Sequence, residues 1–418
     1  MKRLQAFKFQ LEPNGAQTRL MRQYAGNARK VWNLALNRQQ EAHAAGEKFT
    51  NSFGMNSWLL AWKKDFAFLC DSPSQTLQQV TKDLAAAYKN FFEKRAAFPK
   101  QKKKGKSTDS FRFPQGFKLD QGNSRIFLPK LGWLRYRNSR EVLGLAKNIT
   151  VSSSGGKWFV SIQTEREVEQ PVPAATAEVG IDVGIARFAT FSDTNFIDPL
   201  NSFKKHQRRL ARYQRRMDRK KVFSNNWKKA KAKVQKINSD IANTRKDFLH
   251  KATATISQNH ALVCIEDLQV RNMSRSAKGD AENPGKNVKA KSGLNKAILD
   301  QGWGEFRRQL GYKMEWTGGV LLVVPAHNTS RTCPCCKHVS KDNRQTQAKF
   351  VCVDCGYENH ADVVGAINIL ERGYRLLARG ESVQSDHSMK QEPTEVIQAA
   401  LFEHRRNPRP FRESGIHL

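Results

Sequence analysis

Three acidic side chains spread over 180 positions have the neighbours expected of catalytic residues. Asp182 lies between two glycines in the stretch EVGIDVGIARFATFSD, residues 178–193. Glu266 ends an apolar run, and Asp362 falls in the first turn of a predicted helix. If they converge, the three carboxylates repel one another and require divalent cations to neutralise them. Two Mg²⁺ ions about 3.5–4 Å apart would then activate a water and stabilise the leaving oxygen of a phosphodiester, with no Ser or His nucleophile.

Each acid also has an ordinary structural explanation. An aspartate between glycines is common in turns or beside an arginine, and a glutamate that ends a strand is often a surface residue. An acid in the first turn of a helix is favoured by the helix dipole. Taken one at a time, these explanations are the better ones. Taken together, in this order and beside the cysteine motif described below, the three acids favour catalysis.

The elements around the acids are predicted to bring them together. Residues 178–183 alternate, so that Asp182 falls on the face with the glycines, which let a metal or a backbone come close. Residues 261–265 are a continuous apolar run, typical of a strand covered on both faces. Asn359 is predicted to cap the helix that carries Asp362. Strands, helices, strand, helix, strand and helix follow in this order from 178, which is compatible with an RNase H-like fold in which the acids converge.

Two C-x-x-C pairs separated by fifteen residues have the spacing of a zinc ribbon. Each pair can hold a tetrahedral ion from a knuckle turn, and thiolates suit Zn²⁺. Cys335 could replace one ligand, and His338 or His360 are further alternatives. A closed four-thiolate site is structural, so the ribbon is not predicted to be the catalyst. The predicted ligands are Cys333, Cys336, Cys352 and Cys355.

The charge of the chain predicts a polyanionic partner. Its 418 residues include 72 Lys and Arg against 38 Asp and Glu, a net charge of +34. Nucleic acid is the simplest partner for this excess. A membrane is disfavoured because no segment approaches the ~18 apolar residues of a spanning helix, and the N-terminus lacks the apolar core of a signal peptide. A cytoplasmic location in a bacterium, at the nucleoid when bound, is therefore expected.

Two segments concentrate the positive charge. Residues 94–106 carry seven cationic side chains and no acid, and are either a solvated linker or a linker that contacts phosphates. Residues 204–236 hold fifteen cations against Asp218 alone. We interpret 204–258 as a helical hairpin that contacts a nucleic-acid backbone, because its first half lacks the apolar positions of a coiled coil.

The N-terminal part alternates between strand and helix periods. Residues 3–11 read as a strand, and the region 16–97 as a small helical unit with one helix from Gln17. A second helix is predicted to be capped by Ser72, with Pro73 in its first turn and Gln75 completing a capping box.

The strand period then returns. Several strands are predicted within 107–172, with a hairpin turn at Gly155-Gly156. They would close on the strand at 3–11. Further on, residues 271–296 show no periodicity and are predicted to be a mobile loop after Glu266, followed by a helix near Trp303 and a strand at 320–324.

The sequence resembles the TnpB proteins of bacterial insertion sequences. These proteins were long labelled OrfB-type transposases and are related to the type V CRISPR effectors. The resemblance covers about residues 3–372. LQAFKFQLEPNGAQ and AAYKNFFEKRAAFP match the family's N-terminal pattern. The other matching blocks are GIDVGIARFATFSD, CIEDLQVRNMS, DQGWGEFRRQLGYK, TSRTCPCCKHVSKDNRQTQAKFVCVDCGY and NHADVVGAINIL.

The resemblance implies an RNA-guided DNA endonuclease. A transposon-encoded guide RNA would bind the protein, and a RuvC-type site would cut double-stranded DNA next to a short target-adjacent motif. Asp182, Glu266 and Asp362 would be the catalytic acids that bind two Mg²⁺ ions, and the four cysteines would hold a structural Zn²⁺. Gln78 falls where the family reads its target-adjacent motif.

One departure from the family pattern follows the third acid. The family usually has D-x-N-A-A-x-N, whereas this chain has Asp362, then Val364 and Gly365, and then Asn368. Val364 replaces an amide, and Gly365 is expected to loosen the helix.

The expected fold class is a multidomain protein of mixed α+β and α/β type. The predicted parts are a wedge β-barrel (1–15 and 107–172), an inserted helical recognition unit (16–106), a RuvC-like nuclease domain (177–327 and 358–378), an inserted zinc ribbon (328–357) and a disordered tail (379–418). Two other functions remain open at this stage: a nuclease-inactive, RNA-guided DNA-binding repressor, and a DNA transposase proper that joins strands without RNA.

Overall fold

The computed structural model of the chain describes residues 1–280 and 282–379. Their contacts group into two compact units, residues 1–170 with 210–239, and residues 171–209 with the chain from 240 onward. Helices and strands occur in both, so the protein is a mixed α/β protein with more than one folded unit. Apart from residue 379, the predicted tail lies outside the described residues.

The first unit begins with a strand and three helices. The strand predicted at 3–11 is β1 (Lys2–Glu12). Asn14 caps the next helix in a capping box, in which its Oδ1 accepts from the Gln17 backbone N–H at 2.8 Å and Gln17 Oε1 accepts from the Asn14 N–H at 3.1 Å. The helices are α1 (Gly15–Ala44), α2 (Ser52–Asp65) and α3 (Ser74–Phe92).

The predicted cap of α3 was wrong. The helix begins at Ser74 and Pro73 occupies the N-cap position, with no side-chain cap hydrogen bond. Ser72 is instead buried, and its Oγ accepts from Asn27 Nδ2 of α1 at 2.9 Å. The hydroxyl therefore satisfies a buried amide rather than the helix end, a use that depends on tertiary packing.

The remaining strands of the first unit join β1 in one antiparallel sheet, in the order β2-β6-β7-β1-β5-β4-β3. β1 pairs with β7 from Lys2 opposite Glu167 to Leu11 opposite Trp158, which joins the first strand to the strands that follow the helices, as predicted. Closure of this sheet into a barrel stays a prediction. The strands are β2 (Ser110–Phe113), β3 (Lys118–Asp120), β4 (Arg125–Leu128), β5 (Gly132–Tyr136), β6 (Leu145–Ser154) and β7 (Lys157–Glu167).

The turn between β6 and β7 lies at the predicted glycines. Gly155 and Gly156 have φ angles of 58° and 80°, in the left-handed region. A two-residue turn with both φ values positive matches the twist of an antiparallel hairpin, and glycine adopts it without steric cost.

The second unit contains a five-stranded sheet in the order β10-β9-β8-β11-β12. β8 pairs antiparallel with β9 and parallel with β11, and β11 pairs parallel with β12. The strands are β8 (Glu178–Val183), β9 (Ala189–Phe191), β10 (Phe196–Ile197), β11 (Leu262–Glu266) and β12 (Val320–Val324).

The helices that lie between or after these strands belong to the second unit, except for residues 210–239 of the first two, which group with the first unit. The segment predicted as a helical hairpin, 204–258, consists of the first two of these helices, and their packing against each other stays a prediction. The helices are α4 (Ser202–Asp218), α5 (Asn225–Asn259), α6 (Val270–Met273), α7 (Val288–Gln301), α8 (Trp303–Thr317) and α9 (Ala361–Ala378).

The prediction of an unstructured segment at 271–296 was partly wrong, because α7 begins within it. Few apolar residues mark this helix, and among its hydrophobic side chains only Ile298 is buried. Hydrogen bonds to distant residues hold it: Asp300 accepts from the Ser202 hydroxyl at 2.9 Å, and Lys291 donates to the Met273 carbonyl at 2.7 Å. Its stability therefore comes from tertiary contacts, which the local sequence pattern does not reveal.

Different helices cover the two faces of the five-stranded sheet. On one face, Val179, Ile181, Val263 and Ile265 pack in a cluster with apolar residues of α5, α7 and α8. On the other face, Cys264, Leu322 and Val324 pack against Ile369 of α9. The face below α9 is also the one that carries Gly180 and Asp182, as the alternation along β8 predicted.

A two-stranded antiparallel sheet lies within the cysteine-rich segment. It consists of β13 (Lys349–Val351) and β14 (Glu358–His360), and α9 starts at the residue after β14. The position of the first turn of α9 is therefore tied to this segment.

Candidate active site and cysteine cluster

Asp182 is the penultimate residue of β8, and Glu266 is the last residue of the adjacent parallel strand β11. Ile181 of β8 is paired with Ile265 of β11, so the next residue on each strand is one of the two acids. Because neighbours in a parallel ladder point to the same side of the sheet, both carboxylates lie on the face that α9 covers.

Close contact between backbones holds α9 over this face. A Cβ built on Gly180 would come within 2.1 Å of the Ala366 carbonyl oxygen and 2.7 Å of the Leu370 nitrogen, so only glycine fits there. The backbone of α9 therefore uses the space that the glycine leaves on β8, in agreement with the prediction that such glycines allow a backbone to come close.

Gly365 of α9 lies directly over Asp182. A Cβ at this position would be 2.7 Å from Asp182 Oδ2. The departure from the family pattern at residue 365 is thus next to a catalytic candidate, where it leaves room beside a carboxylate oxygen.

The third acid, Asp362, lies in the first turn of α9. The predicted cap of this helix, Asn359, was wrong. His360 occupies the N-cap position, and its Nδ1 accepts from the Asp362 backbone N–H at 3.2 Å. The Asn359 side chain instead bonds to the His360 N–H and the Tyr357 hydroxyl. The final residue of β14 therefore caps the helix, which fixes Asp362 relative to the small sheet.

The three acids interact electrostatically. Burial, followed by the Glu266 and Asp362 carboxylates, raises the pKa of Asp182 well above its ordinary value. Burial also raises the pKa of Glu266, against the lowering effects of a hydrogen bond from Thr329 and of the Arg372 and Arg344 guanidiniums. The structure thus brings the three predicted acids to one place, where their negative charges oppose each other.

Four further residues contribute to this place. Arg344 Nη2 lies 3.3 Å from Asp362 Oδ1, and Thr329 Oγ1 donates to Glu266 Oε1. Asn368 donates to the carbonyl oxygens of Thr329 and Thr332, at 2.7 Å each, and Arg372 donates to the Pro325 carbonyl at 2.7 Å. The sequence indicated no role for Arg344, Thr329 or Arg372. Asn368 was noted only as the last residue of the family pattern that begins at Asp362.

The cysteine cluster is tighter than the carboxylate site. Sulfur atoms of Cys333 and Cys355 are 3.6 Å apart, those of Cys336 and Cys352 are 3.5 Å apart, and all four lie within 4.8 Å of one another. A tetrahedral Zn²⁺ with bonds of about 2.3 Å separates its sulfur ligands by about 3.8 Å. The four sulfurs therefore fit one zinc ion, and they are the set that the sequence predicted.

Two knuckle turns shape this cluster. The Lys337 N–H donates to the Cys333 carbonyl at 3.0 Å, and the Gly356 N–H donates to the Cys352 carbonyl at 3.0 Å. Lys337 and Gly356 both have positive φ angles, 66° and 72°. Each C-x-x-C pair is thus closed by the same turn. Within residues 1–280 and 282–379, no other group of three or more His, Cys, Asp or Glu side chains is gathered as closely as these four cysteines, so the three acids form a looser arrangement than the sulfurs.

Gln78 belongs to the first unit and takes no part in the carboxylate site. It lies on the exposed side of α3, and its backbone carbonyl accepts from the Thr81 hydroxyl at 2.7 Å. Its predicted contact with DNA stays a prediction. Among the described helices, none is both long and apolar enough to cross a membrane.

Three family profiles match parts of the chain. Residues 161–277 match the IS605 OrfB family, described as "Probable transposase", and residues 303–369 match a "Cas12f1-like, TNB domain". Residues 1–48 match a "Helix-turn-helix domain", although this segment consists of β1 and the single helix α1.

Relatives match the chain over nearly its whole length. It is 59% identical to the "Putative RNA-guided DNA endonuclease InsQ" of Escherichia coli (strain K12), over 96% of this chain and 100% of that protein. It is 33% identical to a "Putative RNA-guided DNA endonuclease" of Streptomyces pristinaespiralis, over 93% of this chain and 96% of that one. A nucleic-acid-processing protein is the class indicated by the carboxylate site, the cysteine cluster and the net positive charge of the chain. The chain belongs to the TnpB-like, OrfB-type family of IS605 insertion sequences.

Solved structures of CRISPR effectors are weakly similar. The chain aligns with the mini RNA-guided endonuclease CRISPR-Cas_phi3 over 92% of its own length and 94% of that chain, with a TM-score of 0.41 and 11% identity. It aligns with the Cas12f1–sgRNA–target DNA complex over 89% and 100%, with a TM-score of 0.33 and 15% identity.

Proposed function

We propose that this chain is an RNA-guided DNA endonuclease of a bacterial insertion sequence, which cuts double-stranded DNA beside a short target-adjacent motif. The observation that carries the proposal is the meeting of three carboxylates below α9, close enough for Glu266 and Asp362 to raise the pKa of Asp182. Several negative charges close together in a partly buried site are expected where cations bind.

Asp182, Glu266 and Asp362 would hold two Mg²⁺ ions through their carboxylate oxygens. When bound, these ions supply the positive charge that activates a water and stabilises the leaving oxygen of a phosphodiester. Thr329 keeps the Glu266 carboxylate oriented through its hydrogen bond. Arg344, beside Asp362, places a guanidinium where a phosphate would be attracted.

The strand order and helix placement of the second unit support a RuvC-type, RNase H-like assignment for residues 177–327 and 358–378. Antiparallel β10, β9 and β8 are followed by parallel β11 and β12, with helices on both faces. The four cysteines would hold a structural Zn²⁺ in the ribbon at 328–357. The ribbon then has a positioning role, because it carries Arg344 and because its strand β13 pairs with β14, whose last residue, His360, caps α9.

The partners would be a transposon-encoded guide RNA and double-stranded target DNA, in the bacterial cytoplasm at the nucleoid. The charge of +34 supports nucleic-acid partners. Pairing with the guide would supply sequence specificity, while the protein reads a flanking motif. We assign that reading to the helical unit 16–106 with Gln78 and to the wedge formed by 1–15 and 107–172.

The test is cleavage of a matched target by the purified ribonucleoprotein in Mg²⁺. Asp182→Ala and Glu266→Gln are expected to lower cleavage at least about a thousandfold while leaving RNA-dependent DNA binding intact. Asp267→Asn is the matched control, since this exposed neighbour pairs with Arg307 outside the site.

Cleavage by Asp182→Ala at the wild-type rate would disprove the site assignment. A wild-type complex that binds but never nicks its target would favour the repressor. Strand-transfer products from transposon ends without RNA would favour a transposase proper.

A further inference from the structure

Two aromatic side chains, one exposed and one half-buried, lie at the turn between α4 and α5. Phe223 is 74% exposed, and its ring centroid is 5.5 Å from that of Trp227 in the first turn of α5. Lys231 Nζ lies 4.8 Å from the centroid of the Trp227 ring. We call Phe223, Trp227 and Lys231 the aromatic tip. Together they present two π-faces and a cation.

The backbone of the turn holds this tip in place. Phe223 has a φ of 68°, a left-handed conformation that bulky residues rarely adopt. The next residue, Ser224, accepts from the Trp227 N–H through its Oγ at 3.2 Å, and its carbonyl accepts from the Lys228 N–H at 2.9 Å. The start of α5 is thus capped, and the cap keeps Trp227 next to Phe223. Strain retained at an exposed aromatic residue favours a function for its side chain.

The rest of the hairpin contains buried apolar residues that pack and many cationic residues. Its apolar residues Leu210, Ala230, Val234 and Ile237 are buried. Trp227 and Lys231 are half-buried at the end of this stripe, and Phe223 is exposed. The segment 204–236, which contains the tip, holds fifteen cations against one acid. A ligand that complements both features carries a phosphate backbone and unstacked aromatic rings.

We propose that the aromatic tip binds unpaired nucleobases of RNA by stacking on Phe223 and Trp227. RNA is favoured over target DNA because RNA exposes bases in loops and single strands, whereas the bases of duplex DNA are stacked inside the helix. The choice of RNA rests on the proposed function. The cations of the hairpin bind the phosphates on either side, and the tip adds an interaction that does not depend on phosphate charge.

Stacking and phosphate binding respond differently to salt, which allows a direct test. Binding of the full-length protein to a labelled oligoadenylate of about 15 nucleotides would be measured by fluorescence anisotropy over a range of salt concentrations. Phe223→Ala and Trp227→Ala are expected to weaken binding by about fivefold to a hundredfold, with the salt slope unchanged. Lys228→Gln, the exposed cation beside Trp227, should instead reduce the slope by about 0.7.

Matched controls separate stacking from a change of fold. Val222→Ala removes an exposed aliphatic side chain, 58% exposed, from the same turn and is expected to bind like the wild type. Trp227→Phe should restore most of the affinity lost in Trp227→Ala. A long poly(A)·poly(U) duplex should bind all these variants, except Lys228→Gln, with the wild-type affinity. Ultraviolet cross-linking to the single strand should label the peptide that contains the tip.

Equal affinity of wild type and both alanine variants for the single strand would overturn the inference while leaving the proposed function intact. A wild-type protein that binds no RNA would overturn both. A change in the mass of the RNA-free protein in solution on Phe223→Ala would show that the tip binds a second copy of the chain, and would also overturn the inference.

Discussion

The cysteine cluster and the carboxylate site are two candidate metal sites built in opposite ways. The four cysteines come from two similar turns at most 22 positions apart, and their sulfurs lie within 4.8 Å of one another. The three acids come from β8, β11 and α9, and meet only because a helix packs onto a sheet. The first site is therefore encoded locally, whereas the second depends on the fold of the whole second unit.

The two sites are nevertheless connected. Arg344 lies between the two C-x-x-C pairs and contacts Asp362, and His360 ends β14 and caps the helix that carries this acid. Damage to the ribbon should therefore reach the carboxylates, while damage to the carboxylates should leave the ribbon intact.

The largest effect is expected from Cys336→Ser. Loss of one thiolate should release the zinc and unfold the ribbon, because such sites contribute on the order of 10 kcal/mol to the folding of small zinc domains. Zinc content measured by mass spectrometry should fall from one ion per chain to none, and cleavage should be lost with Arg344 and the cap of α9.

Cys335→Ser is the matched control for this substitution. Cys335 is exposed and stands within the same knuckle, but it is not among the four clustered sulfurs. It should keep the zinc and the activity of the wild type. Loss of zinc from Cys335→Ser but not from Cys336→Ser would mean that Cys335, and not Cys336, is the zinc ligand.

A smaller effect is expected from Gly180→Ala, which disturbs the contact between β8 and α9. The added Cβ would meet the Ala366 carbonyl oxygen at 2.1 Å, so helix and strand must separate at an estimated cost of about 1–3 kcal/mol. Cleavage should fall because Asp362 moves away from Asp182, while zinc content should not change.

Gly304→Ala, in α8, serves as the control, because its added Cβ would have no neighbour within 4 Å. Thermal unfolding followed by circular dichroism should show a lower melting temperature only for Gly180→Ala. A variant at 180 that melts and cuts like the wild type would mean that the close approach of α9 is not required.

The sequence predicted the parts of these sites that depend on local pattern. Alternation around Asp182, the apolar run before Glu266 and the spacing of the cysteines are properties of short segments, and the structure has each of them. Arg344 and Thr329 could not be found in this way, because they meet the acids through tertiary packing alone.

The choice of helix caps shows the same limit. Ser72 and Asn359 both have side chains suited to an N-cap, but Ser72 bonds to the distant Asn27, and Asn359 bonds to its chain neighbours Tyr357 and His360. A cap prediction assumes that the side chain has no better partner. The buried amide of Asn27 provides such a partner for Ser72, and it is 45 positions away.

The smallest predicted effect is the loss of stability caused by repulsion between the negative charges of the carboxylate site. Burial, with Glu266 and Asp362, raises the folded-state pKa of Asp182 above its unfolded value of about 3.9. The folded metal-free protein therefore binds a proton more tightly than the unfolded chain, and its stability falls as the pH rises from the unfolded to the folded pKa. Asp182→Asn removes this charge, so its melting temperature without metal should exceed that of the wild type by a few degrees at neutral pH.

The stability difference between Asp182→Asn and the wild type should shrink as the pH is lowered through the folded pKa, because the wild-type carboxyl then becomes neutral as well. Added Mg²⁺ should reverse the order, since ligand binding stabilises the folded wild type and Asp182→Asn lacks one of the acidic ligands. Zinc content should be the same in both proteins. If Asp182→Asn melts at a lower temperature than the metal-free wild type at neutral pH, the Asp182 carboxylate stabilises the fold. The idea that repulsion between the three carboxylates destabilises the metal-free protein would then be wrong.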